Sequence, residues 1–272
     1  MGIWLLFLYG VCTIVVGRSS VFNRVMFHPQ PSALSWDDPN VVNIGGVEGT
    51  ISALWYPCPE SSKVILYSYG NAEDVGENRW LFEAFHQAGV SVLGYDYPGY
   101  GLSAGTPTER GVYAAANTAY KFLIREGYAP EDIVVAGRSI GSGPACYLAE
   151  KYPVGGLVVV SGFTTIPRVA TRIGLFPVEP FPNIRRLGNV RCPILIIHGD
   201  EDEVIPASHG RALYKRAIRR AGSSTSYLWV SKAGHNDIIG AMGEEQFIRL
   251  IVNFAHGNLT AKDAKGAKKN QE

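Results

Sequence analysis

Short apolar runs alternate along the chain with segments of helical spacing. Val64–Ser68 (VILYS), Ser91–Tyr95 (SVLGY), Ile133–Ala136 (IVVA), Leu157–Ser161 (LVVVS), Ile194–His198 (ILIIH) and Tyr227–Val230 (YLWV) read as strands. Their nearly unbroken apolar character suits a sheet covered on both faces. Helical spacing appears near Trp80–Ala88, Tyr113–Glu126, Gly143–Lys151, Ala207–Arg219 and Glu244–Phe254. This alternation predicts the α/β class, with a mostly parallel central sheet and helices on both faces. Val42–Tyr56 adds an antiparallel lead-in. Gly162–Cys192 is the place for a short cap, with Phe163, Ile166, Ile173, Leu175, Phe176 and Phe181 set among prolines. In such sheets active residues gather on loops at the carboxyl ends of the strands.

The two ends break this pattern. Ile3–Val16 (IWLLFLYGVCTIVV) is uncharged and almost wholly apolar. It reads as a single membrane anchor, a cleaved signal peptide, or a core or interfacial helix. The anchor is favoured, because nothing basic precedes the run and extension to Phe22 reaches spanning length. Arg18 and Arg24 follow it, so the positive-inside rule places the rest of the chain in the cytosol. Lys262–Glu272 is polar and basic without apolar period. The expected organisation is an anchor or signal segment at 1–22, one α/β domain at 23–256 and a disordered basic tail at 257–272. Localisation is then at a membrane, through one N-terminal pass.

Composition narrows the picture further. With 272 residues, 46% hydrophobic and 18% charged, a sizeable core is available and global disorder is excluded. Lys+Arg 25 against Asp+Glu 24 argues against a general nucleic-acid binder. The cysteines Cys12, Cys58, Cys146 and Cys192 form no C-x-x-C pair, so they read as free thiols rather than zinc or redox ligands.

The chemistry begins after IVVA, at Gly137-Arg138-Ser139-Ile140-Gly141, a G-x-S-x-G match between a strand and a helix. That is the setting of a nucleophile elbow, whose sharp turn needs small residues where the backbone and helix approach closely. A serine hydroxyl needs a base, and the base needs an orienting acid. After ILIIH, the carboxylates Asp200, Glu201, Asp202 and Glu203 crowd one strand end, and composition does not choose among them; Asp202 is taken as the acid. The others read as solvated charge or as caps of the following helix. After YLWV, His235 lies in a Gly-His loop late in the chain, which makes it the candidate base. The oxyanion of an acyl-transfer intermediate needs two backbone N–H donors. Ile140 supplies one, and Asn71 or Ala72, in the loop after VILYS, the other. Asp96 has no partner ligands for a metal and reads as structural.

YGNAED, YDYPGYGLSAGTPTE, GRSIGSGP, HGDEDEVIPASHGRALY and LWVSKAGHND together resemble the α/β-hydrolase superfamily, over residues 40–256. They are most similar to the membrane-associated protein depalmitoylases of the alpha/beta hydrolase domain-containing protein 17 group. By matching motif, the resemblance puts Ser139, Asp202 and His235 at the triad positions. Two departures stand out: Tyr69-Gly70-Asn71 replaces His-Gly-Asn, and an apolar segment with only Cys12 replaces a cysteine-rich N-terminus. VFNRVMFHPQP also resembles related membrane-anchored hydrolases. The resemblance implies a serine hydrolase of acyl esters or thioesters, with a palmitoylated protein favoured and no cofactor or metal. Its partners would be an acylated protein or lipid substrate and a membrane, with no nucleic acid; oligomeric state is left open. The alternatives are a lipid esterase or lysophospholipase, a serine peptidase of the prolyl-oligopeptidase type, and a non-catalytic binding protein on the same fold.

Overall fold

The computed structural model describes residues 20–46, 49–171, 179–221 and 224–259. The chain builds an eight-stranded sheet in the order β1-β2-β4-β3-β5-β6-β7-β8. Its strands are β1 (Val41–Gly46), β2 (Gly49–Tyr56), β3 (Val64–Ser68), β4 (Ser91–Tyr95), β5 (Ile133–Arg138), β6 (Gly156–Val160), β7 (Ile194–Gly199) and β8 (Thr225–Val230). β1 and β2 run antiparallel, as the lead-in predicts, and every pairing from β4 to β8 is parallel. Every residue of β3, β4, β6 and β7 is buried, which is why those segments read as continuous apolar runs.

The helices are α1 (Ser20–Met26), α2 (Arg79–Gln87), α3 (Glu109–Arg125), α4 (Ser142–Lys151), α5 (Ile166–Thr171), α6 (Asn183–Arg186), α7 (Ala207–Ala221), α8 (Ile238–Met242) and α9 (Glu244–Ala255). α3 starts where the Thr108 hydroxyl accepts the Gly111 N–H at 2.9 Å, an N-cap that satisfies one orphan donor. It buries Val112, Ala115, Ala116, Ala119 and Leu123, one stripe at helical period. α9 buries Phe247, Ile248, Leu250, Ile251 and Phe254 in the same way. α2 packs with α9, while α3 packs with α4, and α4 with α6, so the sheet lies between two helical layers.

Register positions the site. Ser68 at the end of β3 pairs with Gly137, and His198 and Gly199 of β7 pair with Trp229 and Val230. The loops that follow these strands therefore leave the same edge of the sheet side by side.

Part of the expected organisation is corrected. Among the described residues no helix is long and apolar enough to cross a membrane, so a single-pass anchor is not supported, nor is the cytosolic placement that followed from it. α1, which begins within the expected anchor segment, has 7 residues and carries Arg24, whereas a spanning helix needs about 20 apolar ones. The run Ile3–Val16 and the basic tail from residue 260 lie outside the described residues. Met26 and Phe27, at the end of α1, are buried against the domain.

Part of the expected cap belongs to the core. Phe163 and Phe181 are fully buried and pack against each other at 6.3 Å, as core residues rather than an exposed lid. Ile173, Leu175 and Phe176 lie outside the described residues. Cys58, Cys146 and Cys192 are free thiols.

Candidate active site

Ser139 occupies the turn between β5 and α4 with a φ of +53°. That left-handed conformation costs a non-glycine residue roughly 1–3 kcal/mol and persists only where the surroundings enforce it. The two flanking glycines enforce it. A Cβ on Gly137 would stand 2.1 Å from the Gly141 carbonyl oxygen, and one on Gly141 would stand 2.0 Å from the Ser68 carbonyl oxygen. Larger residues would push the turn off the end of β3. The Ser142 hydroxyl donates to the Ser139 carbonyl at 2.7 Å, and Asn183 of α6 donates to the Ser142 hydroxyl and the Phe163 carbonyl, both at 3.1 Å.

The structure brings the three expected side chains into one hydrogen-bonded line. Ser139 Oγ lies 3.0 Å from His235 Nε2, and His235 Nδ1 lies 2.8 Å from Asp202 Oδ2. With Nδ1–H donating to the carboxylate, Nε2 is left to accept the serine proton. Ser139, Asp202 and His235 are 9%, 5% and 6% exposed, so water competes weakly for these contacts. Asp202 Oδ1 accepts the backbone N–H groups of Val204 and Ile205 at 3.0 and 2.6 Å. Burial alone would raise the Asp202 carboxyl, but the His235 hydrogen bond and the Ile205 N–H outweigh it and hold the group below its ordinary range.

Two of the other carboxylates of this loop, Asp200 and Glu203, are not merely solvated. Asp200 Oδ1 accepts the Lys232 N–H at 2.7 Å, and Glu203 Oε2 accepts the His235 N–H at 3.3 Å. Three carboxylates on one loop thus grip the histidine loop at three points, and only Asp202 reaches the imidazole. His198 is also close: its Nε2 donates to the Ile205 carbonyl at 2.8 Å and lies 3.4 Å from Asp202 Oδ2. Burial lowers its pKa, so it stays neutral beside the carboxylate.

The loop after β3 lies directly against the elbow, since Gly141 abuts the Ser68 and Tyr69 carbonyls. Ile140 N–H and the backbone of Asn71 and Ala72 are therefore on neighbouring turns, with Ala72 at φ +58°. The Asn71 side chain makes three hydrogen bonds away from the elbow. Its Oδ1 accepts the Tyr100 hydroxyl at 2.7 Å and the His28 N–H at 3.1 Å, and its Nδ2 donates to the Met26 carbonyl at 2.8 Å. Asp96 organises the same loop from beneath. It accepts from Ser52 Oγ at 2.6 Å, Tyr69 Oη at 2.9 Å and Val75 N–H at 2.9 Å. Burial pushes its carboxyl up to about 6. Tyr69 thus ties the loop down through its hydroxyl.

Sequence reasoning missed Arg138, Glu73 and Asn236. Arg138 pairs with Glu73 of the β3 loop and donates to Asn236 Oδ1 at 2.8 Å. The G-x-S-x-G pattern leaves the Arg138 position unspecified, so no sequence signal marks it. A groove of about 1300 Å³ between α1, β1 and α3 contains none of the candidate catalytic residues. A cleft of about 310 Å³ includes Arg138 and Asn236 and borders the site. Among the described residues no group of acidic, cysteine or histidine side chains is arranged to hold a metal.

The chain is similar to known proteins in sequence and in fold. The chain matches the serine aminopeptidase S33 family over residues 59–181 and the prolyl oligopeptidase family over residues 174–261. It is 37% identical over 198 residues to human alpha/beta hydrolase domain-containing protein 17B, covering 69% of this chain and 66% of that protein. It is 37% identical over 197 residues to mouse alpha/beta hydrolase domain-containing protein 17C, covering 70% of this chain and 60% of that one. The match spans less than two thirds of these relatives' own length. An esterase from Pyrococcus furiosus superposes with a TM-score of 0.68 at 20% identity, covering 85% of this chain and 98% of that one. A putative α/β-hydrolase from Agrobacterium tumefaciens gives 0.64 at 19%, covering 80% and 98%.

Proposed function

The chain belongs to the α/β-hydrolase superfamily, and from that premise we propose that it hydrolyses acyl esters or thioesters with Ser139 as nucleophile and palmitoylated proteins as favoured substrates. The observation that carries this reading is the line Ser139–His235–Asp202, with contacts of 3.0 and 2.8 Å, at the carboxyl edge of the sheet. In the reaction, His235 Nε2 takes the Ser139 proton as Oγ attacks the acyl carbonyl. The N–H of Ile140 and that of Asn71 or Ala72 hold the developing oxyanion, where each donor is worth roughly 10²–10³ in rate. His235 then protonates the leaving thiol or alcohol, and water, activated by the same histidine, releases the acid. Asp202 fixes the imidazole tautomer and stabilises the imidazolium.

The acyl preference rests on the resemblance of five ordered segments to protein depalmitoylases. The test is release of palmitate from a palmitoyl-thioester peptide and from its matched oxyester. Thioester cleavage that falls by about 10⁶-fold in Ser139→Ala supports the reading. Preference for the oxyester moves the substrate to lipid esters, and equal activity in wild type and variant removes Ser139 from the mechanism.

A further inference from the structure

Besides the β7 loop that carries Asp202, the candidate site is assembled from three loops that enter it from separate strands. The β3 loop carries the oxyanion donors, the β5 elbow carries Ser139, and the β8 loop carries His235. One side chain touches both outer loops. Arg138 sends one guanidinium nitrogen to Glu73, directly after Ala72, and the other to Asn236, directly after His235. Its own backbone precedes Ser139. The ion pair is sheltered, with Arg138 and Glu73 side chains 18% and 20% exposed. Glu73 is itself braced, because its second oxygen accepts from Asn78 Nδ2 at 3.1 Å. Gly70 keeps this space open: a Cβ there would lie 2.8 Å from the Arg138 guanidinium and 2.9 Å from Glu73 Oε1.

A planar fork with fixed donor directions can hold two acceptors at a set separation, which a lysine ammonium cannot. We infer that Arg138 is a positioning residue that locks the oxyanion loop and the histidine loop into register around Ser139, through Glu73 on one side and Asn236 on the other. It touches no reacting atom. It acts by fixing where the Asn71 or Ala72 amide and the His235 ring stand relative to the nucleophile. This inference rests on the proposed reading of Ser139 as nucleophile.

The experiment uses the full chain, a soluble chromogenic butyrate ester and a fluorophosphonate that titrates reactive serines. kcat is expressed per titrated site, so misfolded protein drops out. Arg138→Gln is expected to lower kcat per site roughly 10–100-fold, the scale of loss when a reacting group is displaced by about an ångström, while KM changes less than about threefold. Arg138→Lys keeps the charge beside Glu73 and is expected not to restore kcat. Asn236→Ala, an exposed change that leaves the ion pair intact, is expected to lower kcat several-fold. Combined with Arg138→Gln, it should add nothing further.

An Arg138→Gln enzyme within about twofold of wild type per site overturns the inference. So does full rescue by lysine, which would mean that charge alone matters. Losses that multiply in the double variant also overturn it. Should Arg138→Gln not fold, an unchanged kcat in Asn236→Ala alone is sufficient to reject the link. Wild type that takes up no fluorophosphonate rejects the nucleophile reading and this inference together. A reactive wild type with an unaffected Arg138→Gln rejects this inference alone.

Discussion

Two buried carboxylates in this molecule are tuned in opposite directions: burial wins at Asp96, and hydrogen-bond partners win at Asp202. Asp202 is held low by His235 and backbone N–H groups, so it stabilises the fold above its unfolded value, a contribution lost as pH falls through the folded one. Asp202→Asn sharpens its role. The two backbone donors on Oδ1 fix the amide oxygen there, which turns the amide NH₂ toward His235 Nδ1. The ring then carries its proton on Nε2 and cannot accept one from Ser139, so kcat should fall about 10⁴-fold with the fold retained. Steady-state kinetics with a melting curve checks both. Asp96 is the reverse case, raised by burial from 3.8 to about 6. Between those values the folded state holds a proton that the unfolded state has lost, so stability falls as pH rises through that window. The linked loss is roughly 3 kcal/mol. Urea midpoints of wild type should decline between about pH 4 and 6 relative to Asp96→Asn; parallel curves would show that Asp96 does not carry the dependence.

At the scale of elements, the elbow is the most constrained piece. Gly141→Ala would drive a methyl into the Ser68 carbonyl, a backbone atom that cannot swing aside. The expected cost is about 3 kcal/mol or more, or failure to fold. Gly240→Ala in α8, where nothing lies within 4 Å, should change stability by less than about 1 kcal/mol. Urea midpoints of the two variants make the comparison. The central strands were legible because each is buried on both faces, so VILYS and SVLGY match β3 and β4 residue for residue. The long amphipathic helices were legible from their period. α1, α5, α6 and α8 were not, since segments of 4 to 7 residues span at most two turns and show no repeat. Ser139 and His235 stood out by local motif and chain order. The acid did not, because four adjacent carboxylates look alike until the loop folds, and then Asp200, Asp202 and Glu203 take different donors. The Arg138 link spans 65 and 98 residues to its two partners, a separation that no local pattern reveals.

At the scale of the molecule, the described chain is one sheet with its functional loops on a single edge, and the segment after α1 belongs to that edge. His28 N–H and the Met26 carbonyl bind Asn71, and the Ala33 N–H binds Asp74 at 2.6 Å. The stretch from Met26 to Leu34 is thus part of the site's wall. Removing it should expose the oxyanion loop and reduce turnover as well as stability. A deletion of residues 1–34 that keeps wild-type kcat per titrated serine would refute that role.

The most direct test of the whole account is intact-protein mass spectrometry after fluorophosphonate treatment, with peptide mapping of the adduct. The account predicts one adduct per chain on Ser139, slowed strongly in His235→Ala and absent in Ser139→Ala. An adduct on another residue, or equal labelling of Ser139→Ala, would contradict it.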